Sequence, residues 1–323
     1  MTTGIGSLPH INTDSAVAYS FRHDIPFLPQ LPIYNKNEYM LYQSLSRLPG
    51  ITKPVDGMCF VDLKEWAKTR KYFLKEVKKA KATGDYSNFL PSMDTWSAIN
   101  PFLFEVDRKR PPLIKLQLAG PFTCVSSLKL TDHSPVKDFP DLVKDILLQV
   151  EMSLKALILK FSQTNSKILF FWDEPGLIVY SSYQSLQYRL FETILNASRW
   201  LKENNVAVGI HCCADILWEQ VLPYPHLFDY LSFDLEASGH SLFELKEELQ
   251  FFCKHSSLAI GIVPSTHSSE ENYESKLPKL KILKKLKLNN LLLSPACGLA
   301  HQSLANTEEV LRALNQEKAT SHS

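Results

Sequence analysis

What most constrains this chain is a repeated change of period. Short apolar runs alternate with longer segments in which apolar residues return at three and four positions, as in FPDLVKDILLQVEMSLKALILKF (139–161) and YQSLQYRLFETILNASRWLKENN (183–205). The short runs end near Ser7, Gln30, Ala119, Asp173, Cys213, Asp234, Pro264 and Pro295. Strand followed by helix, repeated, predicts a parallel sheet with crossover helices on its outer face. Eight such units predict an α/β fold of the (β/α)8 TIM-barrel type over residues 1–315, with 316–323 as a disordered polar tail.

The interval before the third run is far longer than one crossover helix needs, so residues 33–112 read as an insertion between the second and third strands. Within it, 62–85 has the spacing of an amphipathic helix with Asp62 as its N-cap, and GMCFVD (57–62) reads as an extra short strand. Two roles stay open for the insertion: a lid or extended rim of an active site, or a packing decoration. Further on, KLPKLKILKKLKL (276–288) reads as the seventh helix, with a solvated lysine face and with Leu280, Leu283 and Leu286 turned to the core.

Composition removes several function classes. Hydrophobic residues make up 45% of the chain, enough for a large core, and 35 basic against 34 acidic side chains leave a net charge of +1. A chain so balanced has no electrostatic footprint for nucleic acid or an anionic membrane surface. The start, MTTGIGSLPH, has no basic-then-apolar leader, and no run approaches the roughly 18 apolar residues of a membrane span. The six cysteines (59, 124, 212, 213, 253 and 297) are too scattered for a disulfide framework, so a reduced, cytoplasmic setting is expected.

Barrels of this kind carry their active sites at the C-terminal ends of the strands. Here those ends collect polar, Gly and Pro residues: GIGSLPH (4–10), LPQLP (28–32), LAGPFT (118–123), WDEPG (172–176), GIHCCAD (209–215), SFDLEAS (232–238), GIVPSTH (261–267) and SPACGLA (294–300). Alternation along a strand assigns each side chain a face. In NVAVGIHCC, the bulky Val206, Val208, Ile210 and Cys212 share one face, expected beneath the helices. Ala207, Gly209, His211 and Cys213 share the other, expected to line the interior. The same test sends Tyr230, Ser232 and Asp234 inward and puts Asp173 on the face of Leu169 and Phe171. His211, Cys213, Asp234 and Cys297 together offer one nitrogen, two sulfurs and one oxygen, a plausible ligand set for Zn²⁺. The other reading of the same residues is a core histidine beside buried thiols.

Taken in order, TGIGSLPH, PFLPQLP, QLAGPFT, FFWDEPGL, GIHCCAD, FDYLSFD, GIVPS and SPACGLA resemble the C-terminal catalytic barrel of cobalamin-independent methionine synthases. The likeness spans residues 3–300 and is closer still to the short, single-barrel methionine synthase II proteins of that superfamily, which also takes in uroporphyrinogen decarboxylase. The resemblance implies a methyltransferase of methionine biosynthesis, like 5-methyltetrahydropteroyltriglutamate–homocysteine methyltransferase, with Zn²⁺ as cofactor and a small thiol as acceptor. It implies zinc ligands at His211, Cys213 and Cys297, with Asp234 standing where the synthases have Glu. It maps the acceptor carboxylate to Ile5, Gly6 and Ser7, the acceptor ammonium to Asp173, and a proton donor to His267. Ser127 stands near the position where the synthases stack folate on an aromatic residue, and Ala214 and Asp215 follow HCC where short members carry Gly-Asn. The implied methyl donor is therefore open between a folate and a corrinoid bound to another protein. Two alternatives remain: a uroporphyrinogen decarboxylase-like enzyme, which would need an arginine-lined pocket, and an inactive barrel that binds a small thiol amino acid.

Overall fold

The computed structural model describes residues 1–265 and 291–321. In chain order its strands are β1 (Phe60–Val61), β2 (Leu113–Ala119), β3 (Lys129–Leu130), β4 (Lys167–Asp173), β5 (Ala207–Cys212), β6 (Tyr230–Asp234), β7 (Ser257–Val263) and β8 (Leu292–Pro295). The helices that matter below are α1 (Thr13–Ser20), α2 (Met40–Leu45), α3 (Leu63–Thr83), α4 (Ile99–Lys109), α5 (Pro121–Ser127), α6 (Pro140–Phe161), α7 (Gln187–Glu203), α8 (Leu235–Glu244) and α9 (Lys246–Cys253), with a last helix at Leu304–Ser321.

Six strands form one sheet in the order β2-β4-β5-β6-β7-β8, every neighbour parallel. The helices between them cover the outer face, so the alternation of periods in the sequence is the alternation of strand and crossover. The two runs expected to end near Ser7 and Gln30 take a sparser form. They are extended segments joined to the sheet and to each other by single parallel bridges: Phe27 to Lys115, Ser7 to Gln30, and Thr2 to Leu293. Lys115 donates its backbone N–H to the Pro26 carbonyl at 2.7 Å, Gln30 donates to Gly6 at 3.0 Å, and Thr3 donates to Leu293 at 2.9 Å. Pro26, Pro29 and Pro32 recur every third residue in IPFLPQLP and have no N–H to give a ladder, which is why regular pairing stops there.

Inside and outside follow the expected phase. Val208, Ile210 and Cys212 of β5 belong to the large core shared with the helices, as do Leu231 and Phe233 of β6 and Phe170 and Trp172 of β4. Ile25, Leu169, Phe171, Ala259 and Leu292 form a separate inner cluster, against which Ala207 and Tyr230 pack. At Gly209 a Cβ would run into the Phe171 ring, so the small residue on the inward face makes room for a large one on the next strand.

The 33–112 segment is built of two kinds of structure. Leu41 and Leu45 of α2, and Phe102 and Val106 of α4, are buried in the main core. Helix α3 meets the main core through Leu63 and Trp66 and buries Phe73, Val77 and Ala80 in a smaller cluster with Met152 and Ala156 of α6. Asp62 caps α3 by accepting from the N–H groups of Lys64 and Glu65, and Gly84 ends it in the left-handed region at φ 73°. The short strand foreseen at 57–62 is β1, which pairs in parallel with β3. Through 316–321 the chain continues the last helix, held to the opposite end of the chain by Lys318 on Asp24 at 2.6 Å. No described helix is long and apolar enough to cross a membrane. His267 and the lysine-rich 276–288 segment lie outside the described residues.

Candidate active site

Parallel register brings the strand ends into one place. Asp173 at the end of β4 stands opposite His211, His211 opposite Ser232, and Asp234 opposite Gly261. The chain leaving β8 then delivers Cys297. Its sulfur lies 3.3 Å from the sulfur of Cys213, across 84 residues of sequence. Residues 5–7 close the far side: a Cβ on Gly298 would overlap the Ser7 hydroxyl, and Leu299 donates its N–H to the Ser7 carbonyl at 2.8 Å. His211, Cys213, Cys297 and Ser7, distant in sequence, thus meet at the C-terminal mouth of the sheet.

His211 is oriented from behind. Its Nδ1 lies 2.9 Å from the Ser232 hydroxyl, one strand over, while its Nε2 is buried without a hydrogen-bond partner. A histidine pinned through one ring nitrogen with the other left bare is the arrangement in which imidazole serves as a metal ligand. Next to it the two thiols behave as a pair. The contact between them and the nearby imidazole lower the Cys297 pKa, favouring its thiolate, and the same contact raises that of Cys213.

Among the described residues, no group of three or more His, Cys, Asp and Glu side chains stands arranged as a metal site. In a zinc tetrahedron with Zn–S bonds of about 2.3 Å the sulfurs sit about 3.8 Å apart, so these two would have to separate by about half an ångström. Asp234 is engaged elsewhere: it caps α8, its Oδ1 accepting from the N–H of Glu236 at 2.8 Å. Burial raises the pKa of this carboxyl, against the two backbone N–H groups of Glu236 and Ala237 that lower it. The chemistry of the donors, one bare imidazole nitrogen and two sulfurs, fits zinc, and Asp234 holds its cap through Oδ1 alone of its two carboxylate oxygens.

Below the mouth the interior is polar. Asp173 is 5% exposed, and its Oδ1 has no partner. Burial pushes its pKa up to about 6, against the pull of Lys115 and His211. Lys115, 2% exposed, points its ammonium at the Ile5 carbonyl at 2.5 Å and at Gln117 Oε1 at 3.3 Å. Sequence reasoning passed over this lysine, although a charged residue alternating through LIKLQLA on the inward face was a signal for it.

Glu174 was missed as well. It is fully buried and accepts from Phe122 N–H at 3.1 Å, Thr123 N–H at 2.8 Å and the Thr123 hydroxyl at 2.7 Å. Thr123 in turn accepts from the N–H of Gly176 at 3.1 Å, so WDEPG and GPFT are laced into one unit. Gly120 is required there, because a Cβ would overlap the Glu174 carboxylate. Ser127, at the end of α5, is exposed.

No protein-family model matches this chain, and no curated protein matches it. Among solved structures it is similar to a B12-independent methionine synthase from Shewanella sp. W3-18-1 in complex with selenomethionine, with 19% identity, covering 66% of this chain and 64% of that one, at a TM-score of 0.46. It is also similar to a protein assigned as the vitamin-B12 independent methionine synthase of Listeria monocytogenes, with 16% identity, covering 63% of this chain and 64% of that one, at a TM-score of 0.43. The match thus spans less than two thirds of the length of either protein.

Proposed function

We propose that this chain is a zinc-dependent methyltransferase whose acceptor is the sulfur of a small thiol amino acid of the homocysteine type, as in the methionine synthases its motifs resemble. The observation that carries the reading is the bare Nε2 of His211 standing at the same strand ends as the Cys213 and Cys297 sulfurs. We also read the three single bridges as closing the six-stranded sheet into an eight-membered (β/α)8 ring, with this mouth at its C-terminal end.

In this reading His211, Cys213 and Cys297 hold the metal. Bound zinc supplies a thiolate at neutral pH from a substrate thiol that alone titrates near 8.5. Asp234, whose Oδ1 holds the Glu236 N–H, would be a fourth ligand through its other carboxylate oxygen, and without it three protein ligands would leave one exchangeable position. Asp173, whose Oδ1 lacks a partner, receives the substrate ammonium, and the backbone of Ile5, Gly6 and Ser7 receives its carboxylate. Together they turn the sulfur toward the methyl donor, a folate or a corrinoid on a partner protein. His267 is assigned the proton transfer.

The test is metal content after chelator-free purification, wild type beside Cys297→Ser. About one zinc per chain, lost or much reduced in the variant, is the expected result. Folded wild-type protein that takes up no zinc when it is offered would overturn the reading.

A further inference from the structure

The side chains that hold the substrate-facing segment in place come from β2. Its inward face presents Lys115 and Gln117, 2% and 0% exposed. The Lys115 ammonium donates to the Ile5 carbonyl at 2.5 Å and to Gln117 Oε1 at 3.3 Å, and it lies 5.0 Å from the centroid of the Phe171 ring. Gln117 donates its Nε2 to the Leu28 carbonyl at 2.7 Å. Two adjacent inward residues of one strand thereby hold a carbonyl on each of the two extended segments.

These are the segments that the backbone ladder holds least. Each is joined to its neighbours by single bridges, and buried carbonyls that a ladder would have bonded need another donor. Gly6 then packs directly on the network, since a Cβ there would stand 2.6 Å from Gln117 Nε2 and 2.8 Å from Gln30 Oε1. Among the described residues Lys115 makes no ion pair within 4.0 Å. A buried ammonium without a carboxylate in contact is expensive, and a methionine would fill the space at lower cost. The tie to a carbonyl does not need the charge, which also acts on the buried Asp173 carboxylate and so serves the polar interior of the site.

We propose that Lys115 is a positioning residue, fixing the Ile5 carbonyl so that the neighbouring backbone of residues 6 and 7 faces the mouth, and placing a positive charge beneath the spot where a substrate carboxylate sits. The carboxylate part rests on the thiol amino acid reading above; the anchoring of residues 5–7 does not. Lys115 acts through the segment it holds and does not touch the reacting sulfur.

The experiment compares zinc-loaded wild type with Lys115→Met. Calorimetry measures binding of L-homocysteine and of 3-aminopropane-1-thiol, which has the same thiol and amine but no carboxylate. Hydrogen exchange is followed on peptides covering residues 1–10 and on peptides from β4, β5 and β6. The expected result is homocysteine binding weakened about tenfold and the carboxylate-free thiol weakened clearly less, since loss of Lys115 reaches the ammonium only through Asp173. Exchange should speed up in residues 1–10 alone, with zinc content unchanged. Equal weakening of both thiols, or of neither, overturns the charge role. Unchanged exchange in residues 1–10, or faster exchange everywhere, overturns the anchoring role. Wild type that binds neither thiol defeats the thiol amino acid reading, and the carboxylate role falls with it, while the exchange comparison still decides the anchoring.

Discussion

His23 is a buried histidine with nothing to bond. Neither ring nitrogen has a partner, and the ring sits edge-on between Tyr19 and Phe27, at centroid distances of 5.5 and 5.4 Å. Burial holds its pKa down at about 3, with Asp24 pulling up and Arg22 pushing down. An unfolded histidine titrates at about 6.5, so between those two values the unfolded chain binds the extra proton. Stability from this residue is therefore complete above about pH 6.5 and is lost as the pH falls toward 3. Going from pH 7.5 to 5 should cost about 2 kcal/mol through His23 alone. Urea midpoints at the two pH values check this. His23→Phe should remove most of that difference, and an unchanged acid limb in the variant would place the proton uptake elsewhere. The same scale explains why His211 differs from His23: one nitrogen is tied to Ser232, so a bare Nε2 has a direction.

Helix α3 shows how an added element is fastened. Its polar composition gives it little core to bury, so its attachment depends on named side chains as well as on Phe73, Val77 and Ala80. Asp145 of α6 is fully buried and accepts from Arg70 Nε at 2.6 Å and from Trp66 Nε1 at 3.0 Å. Removing the carboxylate takes the acceptor from Trp66 Nε1 and Arg70 Nε at a partly buried site, and leaves Arg70 only the Asp141 carboxylate at 3.3 Å. Asp145→Ala is expected to cost about 3 kcal/mol, whereas removing the exposed cap with Asp62→Ala should cost only about 1 kcal/mol. Urea unfolding measures both, and near-equal losses would mean that α3 contributes to stability mainly through its own helicity.

At the scale of the molecule, the ends of the chain meet. The last helix buries Val310, Leu311 and Leu314 while Arg22 pairs with Glu308 and Lys318 with Asp24, each at 2.6 Å. Exposed pairs of this kind contribute at most about 1 kcal/mol, because water screens them and ordering long side chains costs entropy. A fully buried leucine is worth more. Leu314→Ala should cost about 3 kcal/mol and Lys318→Ala less than about 1 kcal/mol, read as shifts in the urea midpoint. Similar losses for the two would mean that the ion pairs hold the ends together more than packing does.

The period of the apolar pattern is a local property, and it was enough to determine the six regular strands, the long helices α6 and α7, the cap at Asp62 and the inward phase of the residues that alternate in step with His211 and Asp173. Composition likewise settled that the core is large and the net charge small. Tertiary structure alone decided the rest, because each remaining feature depends on which distant atom arrives beside a side chain. Only folding could bring Cys297 within 3.3 Å of Cys213, give Asp234 to the start of α8, and put Glu174 against the N–H groups of Phe122 and Thr123. Lys115 is the sharpest case. Its letter and its phase can be read from the strand, but its partner is a backbone carbonyl 110 residues away, and a carbonyl carries no signature in sequence.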